Sequence, residues 1–178
     1  MRRPTRPAIE TGTTAETAEG GTPRPLYTPA QRKRRDESAW TVVQGILAPV
    51  QFLIFGVSLF LVLRFLVVGE GETAAVVSIL LKTAALYAIM VTGSIWEKVV
   101  FGEWLFAEPF FWEDVFSMAV LALHTAYLVM LLGGWGTAHQ QMYVALAGYA
   151  TYVVNAGQFL WKLRVARIQG DRQLAMTA

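Results

Sequence analysis

The sequence predicts an all-α fold: a polytopic membrane protein whose four transmembrane helices form a bundle, with both termini cytoplasmic. Three observations predict it. Hydrophobic residues fill 54% of 178 positions and mean hydropathy is +0.42, more apolar side chain than a soluble domain of this length buries in one core. The excess is gathered into four stretches, each able to cross a ~30 Å hydrocarbon layer at ~1.5 Å per residue. Lys and Arg cluster at one set of stretch ends while the loops joining the other ends carry none, the asymmetry of the positive-inside rule.

Residues 1–30 are rich in Thr, Pro, Gly and Glu and show no apolar period. They read as a disordered tail, since nothing there offsets the entropy of ordering. No apolar run follows the basic start, so no secretory signal is expected and the first hydrophobic helix stays in the mature protein. The transmembrane domain is expected over residues 31–168, with spans at about 40–68, 73–100, 112–132 and 138–163, and a C-terminal tail over 169–178. Arg32, Lys33, Arg34 and Arg35 precede the first span, Lys98 ends the second, and Lys162, Arg164 and Arg167 close the fourth. That places both termini and the middle connector in the cytoplasm. Trp40, Trp96, Trp104, Trp112, Trp135 and Trp161 fall at or near span ends, as an interfacial aromatic belt requires. The turns Gly69–Glu72 and Gly133–Thr137 join spans one to two and three to four, and the aromatic, acidic connector Phe101–Phe111 is expected to lie along the membrane surface.

Several function classes drop out. Without cysteine there is no disulfide framework, thiolate metal site or cysteine nucleophile. A net charge of +2, with the cations at span ends rather than in a patch interleaved with aromatics, argues against nucleic acid as a partner. The two halves share no sequence repeat, which weakens a transporter built from inverted repeats. His124 and His139 sit at different depths, so a haem held by two histidines is discounted.

Polar residues inside the spans carry the functional signal, because each is costly in lipid and faces the bundle interior or a site. Gln44, Gln51 and Ser58 recur every seven residues on one face of the first helix. Interhelical hydrogen bonding alone would account for them. On the third helix Glu113, Ser117, Val120, His124 and Tyr127 form one stripe, too polar for packing alone. His124 reads as a helix–helix hydrogen bond, a metal ligand or a proton donor. Lys82 shares its depth, unless it snorkels outward. Nearer the cytoplasm, Glu97 and Lys98 close helix two, Glu113 and Asp114 open helix three, and Asn155, Gln158 and Lys162 lie on helix four. Glu113 and Asp114 suit the positive end of a helix dipole; Glu97, at the opposite pole, does not, and is the preferred candidate for chemistry.

The strings VQGILAPVQFLIF (Val43 to Phe55), TGSIWEKVVFG (Thr92 to Gly102), FFWEDVFSM (Phe110 to Met118), ALHTAYL (Ala122 to Leu128) and YATYVVNAGQFLWKLR (Tyr149 to Arg164) resemble the 3-vinyl bacteriochlorophyllide hydratase family, also called 2-vinyl bacteriochlorophyllide hydratase. The likeness covers about residues 26–168, including the LYTP at Leu26. It implies a hydro-lyase that adds water to the C3 vinyl group of chlorophyllide a or a related bacteriochlorophyllide. The product is the 3-(1-hydroxyethyl) derivative of bacteriochlorophyll synthesis, made in the inner or intracytoplasmic photosynthetic membrane of a bacterium. No cofactor is required, since the substrate carries its own magnesium; the implied partners are that chlorin, the lipid bilayer and other pigment-synthesis enzymes.

Markovnikov hydration needs an acid for the terminal vinyl carbon, a positioned water and stabilisation of the cation. The expected catalytic residues are Glu97 as acid and Glu113 or Asp114 to orient water. The expected binding residues are His124 on the chlorin magnesium, Lys82 or a cytoplasmic cation on the propionate, and Tyr127, Gln44, Gln51, Asn155 and Gln158. Helical rise separates His124 from Glu97 by about 18–20 Å, so these two assignments compete, and the alternative makes His124 the acid with Tyr127 nearby. Without the resemblance, a non-catalytic membrane tetrapyrrole-binding or assembly protein ranks first and a transporter second.

Overall fold

A computed structural model describes residues 26–177, with side chains to residue 168. The described residues form five helices: α1 (Pro29–Glu37), α2 (Ala39–Val68), α3 (Glu72–Phe101), α4 (Phe111–Gly133) and α5 (Ala138–Thr177), with a 3-10 turn at Glu108–Phe110. Among the described residues, three helical segments are long and apolar enough to span a membrane: Ala39–Val68, Glu72–Phe101 and Glu108–Gly133. The fourth, α5, is diluted by Tyr149, Thr151, Tyr152, Asn155 and Gln158. It also runs on through the segment expected to be a C-terminal tail, reaching Thr177. Residues 1–25 of the expected N-terminal tail lie outside the described residues. Its last part is folded, because Tyr27 is buried and Pro29 opens α1.

Local chemistry sets the boundaries. Thr28 and Gln31 form a reciprocal capping box ahead of α1, with Pro29 in its first turn. Ser38 ends α1 and accepts a hydrogen bond from the Trp40 N–H, capping α2 at once. Both tight turns depend on glycine in the left-handed region: Gly69 (φ 78°) closes α2 and Gly134 (φ 65°) closes α4. Two helical hairpins result, α2–α3 and α4–α5. The basic end of the bundle holds α1, the start of α2 and α4 and the end of α3; the turn end holds the two glycine turns.

The turn end is packed solid around Phe55, Val62, Phe65, Ile79, Tyr127, Met142 and Tyr149. Apolar contact alone associates helices weakly in lipid, so interhelical hydrogen bonds matter there. The Ser58 hydroxyl meets Tyr149 Oη at 2.5 Å and Ser78 Oγ at 2.8 Å, joining α2, α3 and α5. At the basic end a second cluster of Tyr27, Val100 and Phe110, with Trp96, Phe101 and Phe159 against it, ties α1, α3, the connector and α5. The connector folds back over the bundle end, burying Ala107 and Phe110 while Trp104, Phe106 and Phe111 stay exposed. Between the two packed ends the hairpins stand apart.

Candidate active site

The gap is a cavity of about 510 Å³ that draws its lining from every helix and from the connector. This is the size that holds one cofactor-sized ligand. Most of the wall is apolar, from Leu86, Ile89, Met90, Ala156 and Phe159, and its polar groups include Arg35, Thr41, Gln44, Gln51, Ser94, Glu97, Asp114, Ser117 and Asn155.

Glu97 comes from the last turn of α3 and Asp114 from the first turn of α4, and both are about 95% buried. Both line the cavity and are tied to consecutive residues of the connector, and like-charge repulsion disfavours ionising both of two neighbouring buried carboxyls. The connector holds the pair. Asp114 Oδ2 accepts the Phe106 N–H at 2.7 Å, and Glu97 Oε2 accepts the Ala107 N–H at 3.3 Å. Phe106 achieves this with φ 61°, a conformation costing a bulky residue about 1–3 kcal/mol unless its surroundings impose it. The hydrogen bond to a carboxylate is such a constraint.

Other lining groups are arranged to orient a small polar molecule. Asn155 donates to Ser117 Oγ at 2.8 Å, which fixes the amide and leaves its Oδ1 with no partner among the described residues. Gln51 Oε1 is also buried without a partner. Buried acceptors of this kind are satisfied by bound water or ligand. Gln44 donates to Thr92 Oγ1 at 2.7 Å, so its role is shared with joining α2 to α3. At the basic end the cavity is bounded by Tyr27 and Arg35, whose guanidinium sits 4.7 Å from the Tyr27 ring centre. Burial pushes the Tyr27 phenol above its ordinary pKa, with Arg35 pulling against it, so the rim presents a neutral phenol and a cation.

The sequence-predicted residues divide. Glu97, Asp114, Gln44, Gln51 and Asn155 line the cavity. Glu113 does not: its carboxylate turns to Lys162 Nζ at 2.5 Å, and the same ammonium bonds the Pro109 carbonyl, so this neighbour of Asp114 fastens α4 and the connector to α5. Gln158 is half-buried and also lies outside the lining. The Lys82, His124 and Tyr127 layer is closed. Lys82 Nζ sits 3.8 Å from the centre of the Tyr152 ring, which lines the cavity and separates the ammonium from it. His124 Nδ1 bonds the Val120 carbonyl at 2.8 Å, and its ring packs so closely on α5 that a Cβ at Gly148 would lie 2.9 Å from Cε1. Tyr127 is fully buried. Sequence reasoning missed the Phe106 and Ala107 N–H donors, which carry no side-chain signal, and the rim position of Tyr27, whose one trace was the LYTP string; Arg35 stood out only as one of the cytoplasmic cations.

Comparison with known proteins now bears on this cavity. Residues 27–165 match the family model described as 2-vinyl bacteriochlorophyllide hydratase. A 2-vinyl bacteriochlorophyllide hydratase of Rhodobacter capsulatus is 65% identical over 152 residues, covering 85% of this chain and 88% of the relative. One of Cereibacter sphaeroides is 66% identical over 145 residues, covering 82% and 90%. No solved structure matches the chain.

Proposed function

The chain belongs to the 2-vinyl bacteriochlorophyllide hydratase family, and from that premise we propose that it adds water to the C3 vinyl group of chlorophyllide a or a related chlorin in bacteriochlorophyll synthesis. The observation that carries the reading beyond the family name is the apolar cavity with one carboxyl pair on its wall. A flat apolar ring suits the walls, and the pair is suited to proton transfer at a ring edge.

The chemistry needs one proton in and one proton out. The shorter bond from Phe106 N–H favours the charged carboxylate on Asp114, leaving the shared proton on Glu97. Glu97 gives that proton to the terminal vinyl carbon, the π bond breaks, and positive charge spreads from the inner carbon into the macrocycle. A water held by Asn155 Oδ1 or Gln51 Oε1 attacks the inner carbon and forms the C–O bond. Its proton passes to Asp114, and the pair again holds one proton. No redox partner or separate cofactor enters this balance; magnesium is part of the substrate.

The membrane setting follows the same reading. α5 serves as a fourth span, because it packs along α4 through Asn155–Ser117 and Lys162–Glu113, and lipid-facing Val153, Val154 and Leu160 are exposed. On this reading the basic residues at one end support cytoplasmic termini by the positive-inside rule, in a bacterial inner membrane with the carboxyl pair in its cytoplasmic half.

Incubation of the purified protein with chlorophyllide a tests the function. Hydration removes the vinyl group from conjugation, so the red absorption band moves to the blue. Tight binding with an unchanged spectrum would instead identify a non-catalytic pigment carrier.

A further inference from the structure

The cavity is closed on three sides and open on one. Its basic end is stopped by the stacked rings of Tyr27 and Phe101, 5.7 Å apart, and by Phe110 and Trp96, 5.6 Å apart. The α3–α4 seam is closed at cavity level by the Glu97–Asp114 pair and the connector bonded to it, and nearer the turn end by Tyr87 Oη and Thr125 Oγ1 at 2.6 Å. The α2–α5 seam is closed only in its turn-end half. There Phe55 meets Tyr152 at 4.9 Å and Tyr149 at 5.4 Å, and Phe65 meets His139 at 5.1 Å. Toward the basic end those contacts cease. Of all the lining residues, the exposed ones are Gly45 and Ala48 on α2 and Leu163 on α5, so the mouth opens between α2 and α5. The α2 side of that mouth has little side chain, and Pro49, lacking an N–H, leaves the Gly45 carbonyl without its helical donor.

We propose that the chlorin reaches the cavity sideways from the bilayer through the α2–α5 seam between Gly45, Ala48 and Leu163, its vinyl-bearing edge leading. This rests on the function proposed above. The occupant is set by what surrounds the mouth: Val42, Ile46, Leu160 and Trp161 are all exposed, an apolar and aromatic surface that meets lipid. Only a ligand dissolved in lipid approaches there. The carboxyl pair lies on the opposite wall, contributed by α3 and α4, so the edge that goes in first is the edge that reacts. Gly45 and Ala48 are thereby specificity-determining, since their size sets the thickness of the slot.

The chain has no native cysteine, so a single thiol can be placed at the mouth. Ala48→Cys protein in phosphatidylcholine vesicles is treated with a bulky, lipid-soluble methanethiosulfonate, and hydration is followed before labelling, after labelling and after dithiothreitol. The modified enzyme is expected to lose about tenfold or more in kcat/KM and to recover on reduction. The same label on Val91→Cys, on the exposed face of α3, leaves kcat/KM unchanged. Equal activity of labelled and unlabelled Ala48→Cys protein overturns the portal. A second readout does not depend on turnover: chlorophyllide a should slow labelling of Cys at position 48 and not at position 91, and equal rates overturn the portal as well. Unlabelled wild-type protein that never shifts the pigment spectrum counts against the hydratase reading alone, and the protection measurement still decides the portal.

Discussion

Two polar layers cross this bundle, and they differ less in residue type than in the space beside them. The layer near the basic end holds Gln44, Gln51, Glu97, Asp114, Ser117 and Asn155 around an open cavity. The layer toward the turn end holds Ser58, Ser78, Lys82, His124, Tyr127 and Tyr149, all buried and none of them in the lining of that cavity. In the first layer hydrogen bonds from the connector and from neighbouring side chains hold groups toward empty volume. In the second, Ser58, Ser78 and Tyr149 spend theirs on each other. A buried polar residue in a membrane helix is therefore a sign of the bundle interior, and adjoining volume is what makes it a candidate for chemistry.

The sharpest way to break this contrast is at Asp114. Asp114→Asn removes the proton acceptor of the pair, and kcat should fall by about 10²–10⁴-fold; steady-state hydration assays, with pigment binding followed by absorbance, measure it. Asn155→Leu is expected to cost about tenfold in kcat/KM through lost water positioning, along with some stability from the freed Ser117 hydroxyl. In the closed layer the sign of the readout reverses, from activity to stability. Gly148→Ala forces a methyl against His124 and should destabilise the fold by about 1–3 kcal/mol, seen by thermal unfolding in detergent, while the folded fraction keeps its kcat. The smallest effect is expected at Lys82→Met. An ammonium with no hydrogen-bond partner among the described residues, resting on the Tyr152 ring, gives way to an apolar chain of similar length, so stability should change by less than about 1 kcal/mol or rise.

Much of this architecture was legible in the sequence because lipid imposes simple rules. The apolar stretches gave α2, α3 and α4 to within a residue or two at most ends, and the seven-residue spacing correctly put Gln44, Gln51 and Ser58 on an inner face. The dipole argument that singled out Glu97 also led to the cavity wall, where Asp114 answers it. Glu113 was inseparable from Asp114 by sequence, since adjacent residues on a helix differ by ~100° in direction; only the position of Lys162 on α5 shows which one is turned away. The placement of His124 was illegible for a related reason. Periodicity marks a face, but the absence of a side chain at Gly148, which lets the imidazole pack against α5, is a tertiary fact. The connector was hardest to read, because its contribution is two backbone N–H groups and one left-handed residue.

The central claim is that the open layer performs the hydration and the closed layer holds the bundle together. Glu97→Gln and His124→Ala, prepared and assayed side by side with chlorophyllide a, test it most directly. Loss of the blue shift in Glu97→Gln with pigment binding retained, and turnover retained by folded His124→Ala, is the predicted result. Full turnover in Glu97→Gln, or abolished turnover in folded His124→Ala, would contradict it.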